Sequence, residues 1–296
     1  MKQEIEGVLT FEDGGGDAAP AVFDSPHSGV LYPDDYGYAI PLSILRKAED
    51  TYVDELFGAA PSRGAAFLCG LFPRSYMDAN RTLADLDPDL LAEAWPEPLA
   101  PGVKTRNGQG LIWRICPPDH QIYDRKLTVA ETRNRIDSFW RPYHDLLKQA
   151  LDARHARFGR VWHINCHSMP AVSSVTSPEG AGVARADFVL GDRDGTTADP
   201  AFTEFVRREI AAMGYEVKVN DPYKGVELVR AYSDPAKGRH SLQVEINRKL
   251  YMDETTFERS AGFARLQQDV TRLIDAIVGY AREHCEPRAV KEGALS

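Results

Sequence analysis

Cysteine is scarce in this 296-residue chain: four residues, at 69, 116, 166 and 285, with no CxxC pair. That spacing builds neither a disulfide framework nor a thiolate zinc cluster, and a reduced, cytoplasmic protein is the simplest expectation. Positive charge is also in deficit. The 35 Lys and Arg face 44 Asp and Glu, a formal net charge of −9, which argues against a nucleic-acid or anionic-membrane surface. It leaves room for a small anionic partner, which needs only a local cluster of Arg. No apolar run approaches the ~20 residues of a membrane helix. A basic segment followed by an apolar one is missing at the N-terminus, so no export signal is visible. The HExxH pattern is absent, which excludes the common one-helix zinc-protease layout. Repeats and low-complexity segments are absent as well.

What remains is an ordinary globular composition, 43% hydrophobic and 27% charged, with enough length for a large core. Strand and helix patterns alternate along the chain. The expected fold is therefore a single α/β domain over 1–296: a mixed, mostly parallel sheet with helices on both faces in three layers. The core should run from about 20 to 285, after a flexible lead-in over 1–20 and before a frayed tail at 286–296. Strands are expected at 21–23, 67–72, 110–115, 161–167, 187–192, 215–219 and 240–246. Helices are expected from Pro41 to Phe57, from a capping box at Thr128 and Glu131 to Phe158, over 200–214, and from a second capping box at Thr255 and Glu258 to Cys285. Pro142 should kink or split the second of these. The Pro- and Gly-rich stretch 85–110 lacks periodicity and reads as a lid or site-lining loop.

The central stretch is Val161-Trp162-His163-Ile164-Asn165-Cys166-His167. Side chains alternate along a strand, so His163, Asn165 and His167 share one face and Cys166 turns away from it. This argues against a Cys-His nucleophile. A polar row on a buried strand needs partners. A second row, Ser241, Gln243, Glu245 and Asn247, lies on the last strand. His27 sits in a stiff turn, Asp24-Ser25-Pro26-His27-Ser28-Gly29, at the end of the first strand. Glu49 falls in line with Leu42, Leu45, Tyr52 and Leu56, the apolar stripe of the 41–57 helix. Two imidazoles and a carboxylate are the His₂Glu set of a catalytic zinc site. His27, Glu49 and His167 are thus the expected ligands of one zinc ion per chain. Glu245 is the expected general base.

Several short segments carry a resemblance. They are Ser25-Pro26-His27-Ser28-Gly29, Asp78-Ala79-Asn80-Arg81, Gly110-Leu111-Ile112 and Asn165-Cys166-His167-Ser168-Met169-Pro170. Asp187 to Asp192, Asn220-Asp221-Pro222-Tyr223 and Gln243-Val244-Glu245-Ile246-Asn247-Arg248 continue the series. In this order and together, they resemble the N-formylglutamate amidohydrolase family over about 20–275. That family is similar in fold to zinc carboxypeptidases and zinc-dependent amidases, so a zinc-exopeptidase-like sheet is implied. Carboxypeptidases take their Glu ligand three residues after the first His, where this chain has Val30. The amidase variant takes it from the following helix, which suits Glu49, with Asp50 as the alternative. The resemblance also implies that Asn80 and Arg81 bind a substrate carboxylate.

Charge extends this to the rest of the site. Arg230, and Arg114 as a catalytic group, are candidates for the far end of the substrate or the oxyanion. Tyr223 and His240 are further oxyanion donors. The resulting expectation is a zinc amidohydrolase converting N-formyl-L-glutamate and water to formate and glutamate, with a place in histidine degradation implied by the resemblance. The rivals are a deacylase or peptidase for another N-acyl amino acid, and a non-catalytic metabolite-binding relative.

Overall fold

The computed structural model of the chain describes residues 2–175, 177 and 179–285, so the expected tail lies outside the described residues. The strands in chain order are β1 Lys2–Ile5, β2 Leu9–Glu12, β3 Ala21–Ser25, β4 Ala66–Gly70 and the two-residue β5 Ile115–Cys116 and β6 His120–Gln121. They continue with β7 Val161–Met169, β8 Phe188–Gly191, β9 Val217–Val219 and β10 Arg239–Asn247. Among the described residues, eight of these form one sheet in the order β1-β2-β4-β3-β7-β10-β8-β9. The central strands β4, β3, β7 and β10 run parallel. β8 and β9 are parallel to each other, and β8 joins β10 antiparallel. β1 and β2 close the other edge antiparallel. The sheet is therefore mixed and mostly parallel, as expected.

All nine residues of β7 are buried, the mark of a strand covered on both sides. Phe23, Trp162, Ile164, Leu242 and Val244 pack beneath the helices Pro200–Ala212 and Phe263–Glu283. The latter helix buries Leu266, Val270, Leu273, Ile274, Ile277 and Val278, a stripe of threes and fours. Truncating one such residue, for example Leu273→Ala, should cost about 2–5 kcal/mol. On the opposite face, Val22, Leu68 and Val161 meet the helix Arg141–Phe158, which Gly159 ends at φ 77°. Toward the carboxyl ends of β3, β7 and β10 this face turns polar, and there the site is built.

Several expectations change. The lead-in is not a coil, because β1 and β2 form a hairpin on β4. The interruption expected at Pro142 takes the form of a π-helical turn over Ile136–Trp140, which separates the α-helix Val129–Arg135 from Arg141–Phe158 with Pro142 in its first turn. The terminal helix starts at Phe263. Its supposed capping box is a turn in which Asp253 accepts from the Thr255 and Thr256 amides. The 110–115 strand is reduced to the small β5–β6 ribbon, outside the main sheet. The greatest change lies in 41–57. Helical turns cover only Leu42–Ala48 and Val53–Leu56, Glu49 is extended at φ −69° and ψ 146°, and Tyr52 is left-handed at φ 67°.

Candidate metal centre

The break at Glu49 is what forms the centre. The Asp50 amide donates to the His27 carbonyl at 2.9 Å, tying this segment to the turn after β3. With the backbone extended, neighbouring side chains point apart. Asp50 enters the site, and Glu49 leaves it. The Glu49 carboxylate accepts from Tyr32 Oη at 2.6 Å, Arg46 Nε at 3.4 Å and Thr51 Oγ1 at 3.3 Å. It lines a separate surface hollow with Tyr32 and Leu42. Burial raises its pKa despite those bonds. The helical-stripe argument for Glu49 as a ligand is therefore corrected, since there is no helix at that residue to carry the stripe. Asp50 is the carboxylate beside the two imidazoles.

His27, Asp50 and His167 bring three donor atoms together. His27 Nδ1 lies 3.2 Å from His167 Nδ1. Asp50 Oδ2 is 2.9 Å from His167 Nδ1 and 3.4 Å from His27 Nδ1. Ligands about 2.0–2.1 Å from a tetrahedral zinc are separated by about 3.3 Å, the same scale as this triangle. The protonation pattern agrees. Asp78, fully buried, is held well below the usual carboxylate range: burial opposes ionisation, but Arg74, Arg81 and His27 outweigh it. An ionised Asp78 only accepts, so His27 Nε2–H donates to it at 2.8 Å.

Asn165 orients the second imidazole. Its amide nitrogen donates to Asp24 Oδ1 at 2.8 Å, so its oxygen faces His167 Nε2 at 2.7 Å and accepts from it. Both imidazoles then present lone pairs at Nδ1 to each other and to Asp50. Three electron-rich atoms in one buried triangle repel unless a cation or a proton lies among them, so the donor set fits a divalent ion. When a proton rather than a cation lies in the triangle, hydrogen bonds from His167 and His27 hold Asp50 well below its usual pKa, although burial alone would raise it.

The network continues beneath. His163 bridges Asp24 Oδ1 at 2.9 Å and Ser241 Oγ at 2.6 Å, and Tyr143 Oη donates to Asp24 Oδ2 at 2.7 Å. The polar row of β7 is thereby satisfied across β3 and β10. Cys166 faces the apolar layer.

Glu245 stands on β10 in register with His167 on β7. Its pKa is pushed up to about 8, first by burial and then by the charge of Asp50. Gln243 Nε2 donates to its Oε1 at 2.9 Å. His167, Asp50 and Glu245 open into a cavity of ≈ 440 Å³, a size suited to a small ligand. Trp113, Tyr223 and Phe257 are among its aromatic walls. Lys47, Arg74, Arg81, Lys104, Arg185 and Arg248 line it, against the acids Asp50, Glu245 and Glu254. A chain of net charge −9 thus holds a cationic cavity.

The other sequence-derived residues divide. Asn80, Arg81 and Tyr223 line the cavity. Asn80 Oδ1 accepts from the Leu228 amide, and its NH₂ lies 3.2 Å from His167 Nε2 without bonding it, since that nitrogen donates to the closer Asn165 Oδ1. Arg81 bonds the Gln109 and Asn80 carbonyls, leaving Nη2 without a hydrogen bond among the described residues, 3.9 Å from Asp78. Arg114 lies outside, in an ion pair with Asp87 at 2.8 Å. Arg230 is on the surface, paired to Glu227 at 2.7 Å. His240 stacks on Trp162, on the sheet face opposite Glu245, and its Nδ1 accepts from the Asp199 amide. These three do not belong to the cavity. Arg74, Lys104 and Arg185 were not legible as site residues. Only the DANR segment, whose Asp78 pairs with Arg74 at 3.0 Å, pointed near one of them.

Comparison with known proteins places this architecture. A solved N-formylglutamate amidohydrolase from Ralstonia eutropha JMP134 is 49% identical, with a TM-score of 0.90 over 94% of this chain and 99% of its own. N-formylglutamate deformylase of Pseudomonas putida is 27% identical over 94% of this chain and 98% of its own length. The Agrobacterium tumefaciens protein Atu2144, at 18% identity and a TM-score of 0.66, shares the fold. The N-formylglutamate amidohydrolase family model matches residues 19–252, and the chain belongs to that family.

Proposed function

We propose that this protein is a zinc-dependent amidohydrolase that cleaves N-formyl-L-glutamate to formate and L-glutamate. The observation that carries this reading is the lone-pair triangle of His27, Asp50 and His167 at the floor of a cationic cavity, with Glu245 beside it. Those three residues would hold a divalent ion, which when bound would polarise an amide carbonyl as a Lewis acid and acidify water. The chain's own groups do the rest. Glu245, which stands in register with His167 on the neighbouring strand, takes a proton from the attacking water and returns it to the departing amine nitrogen. Asp78 and Asn165 keep both imidazoles in the tautomer that offers Nδ1. Arg81, with Nη2 uncommitted, takes the α-carboxylate. Arg74, stacked on Trp113 and bonded to Asp78, adds positive potential beside the reacting carbonyl. The deformylase and amidohydrolase names of the relatives support the same substrate.

The test is direct. Purified protein is assayed for zinc and for formate release from N-formyl-L-glutamate, before and after chelation. About one zinc per chain and metal-dependent formate release are expected. Zinc below about 0.2 per chain, with no activity restored by added metal, refutes the reading.

A further inference from the structure

Of the basic residues around the cavity, all but one have an evident counter-charge or solvent. Arg74 pairs with Asp78, Arg248 with Asp50 and Arg185 with Glu179. Arg81 faces Asp78, and Lys47 is exposed to water. Lys104 is half-buried, lines the cavity and makes no hydrogen bond or ion pair through its ammonium among the described residues. Its strongest electrostatic neighbours are Arg81, Arg74 and Arg185, with a smaller contribution from Glu179; burial, together with those guanidinium groups, pushes its pKa down to about 8.

The position is built rather than accidental. Lys104 lies on the short helix Val103–Arg106 inside the 85–110 stretch. Its carbonyl accepts from the Gln109 amide at 2.8 Å, and the Gln109 carbonyl accepts from Arg81 Nε at 3.2 Å. The next residue, Gly110, packs so closely that a Cβ there would sit 2.4 Å from the Asp85 carbonyl oxygen. Thr105 Oγ1 also donates to the Asp85 carbonyl, at 3.2 Å. The lysine is thus fastened to Arg81 through backbone, in an arrangement that is unfavourable until an anion arrives.

We propose that Lys104 is a specificity-determining residue that holds the distal, side-chain carboxylate of the substrate. The cavity then selects N-acyl amino acids with two carboxylates over their neutral side-chain amides. This rests on the reading of the cavity as an N-acyl amino acid site, with Arg81 on the nearer carboxylate. A carboxylate and a carboxamide have nearly the same shape, so the discrimination comes from charge, and a charge-assisted bond of this kind is worth on the order of 10- to 100-fold.

The experiment uses the zinc-loaded protein, as wild type, Lys104→Met and Lys104→Arg. Binding of glutarate and of its mono-amide, glutaramate, is measured by calorimetry. kcat/KM is measured for N-formyl-L-glutamate and N-formyl-L-glutamine, and thermal melts check folding. Lys104→Met should weaken glutarate by on the order of 10- to 100-fold and glutaramate by less than about 3-fold. The Glu-to-Gln ratio in kcat/KM should fall in step, and Lys104→Arg should recover most of both. Equal losses for acid and amide, an unchanged glutarate affinity, or a wild type that binds both ligands equally overturns the proposal. If Lys104 governs glutarate binding but no formate is released, the amidohydrolase reading falls and this one stands. If formate is released and Lys104→Met changes nothing, the reverse holds.

Discussion

Asn165→Ala tests how the centre holds its imidazoles. In the wild type, Asn165 Oδ1 accepts from His167 Nε2 at 2.7 Å while its NH₂ donates to Asp24 at 2.8 Å. Removing the amide frees His167 to move its proton to Nδ1, the atom that faces Asp50 at 2.9 Å and His27 at 3.2 Å. Loss of such an outer partner typically costs 10- to 100-fold in metal affinity, or about 1.4–2.8 kcal/mol. Asp24 keeps His163 and Tyr143 as partners, so it is not left bare. The stability cost should therefore stay near the ~1–3 kcal/mol of one buried bond. The assay is zinc competition against a chromogenic chelator at pH 7.5, with a urea melt of the metal-free protein alongside. A zinc affinity within about 3-fold of wild type, in a folded variant, would refute the tautomer argument.

Three further outcomes are expected. Asp50→Asn should lose most bound zinc and Glu49→Gln should keep it, as measured by metal analysis after dialysis; the opposite result restores Glu49 as the ligand. Glu245→Gln should cut kcat by roughly 10²- to 10⁴-fold while retaining zinc, and near-normal turnover would remove Glu245 from the proton transfer. His144 is buried between Trp140 and Tyr232, and burial lowers its pKa from 6.5 to about 4. The unfolded chain binds this proton first, so stability is full above pH 6.5 and is lost as pH falls toward 4. Between pH 8 and 4.5 the wild type should lose about 2.5 kcal/mol more than His144→Gln in urea melts; equal losses would show that His144 is not the group responsible.

The legible parts of the site were those on regular strands. Alternation assigned His163, Asn165 and His167 to one face of β7, and Gln243 and Glu245 to the corresponding face of β10, and register then set Glu245 beside His167. The 41–57 segment misled because its apolar spacing satisfied a helix that the backbone does not form. The bond from the Asp50 amide to the His27 carbonyl joins residues distant in sequence, and a local pattern contains no trace of it. The same holds for Arg74, Lys104 and Arg185. A surface arginine and a cavity arginine read alike until the sheet and the 85–110 stretch decide which way each faces. Arg114 and Arg230 show the converse, cations near promising motifs whose neighbours Asp87 and Glu227 hold them elsewhere.

The strand order β7-β10-β8-β9 has a consequence for how the molecule comes into being. His27, Asp50 and His167 all leave the ribosome before β8 and β9, and those two strands join the sheet only through β10. At about 5–20 residues per second, β10 emerges several seconds after β7. Until then the nascent chain lacks both Glu245 and Arg248, whose guanidinium bonds the Glu49 carbonyl and Asp50 Oδ1. The strand that completes the sheet last, joining its two halves, is also the one that brings Glu245 to the cavity. The sheet and the wall of its cavity are then completed in a single event.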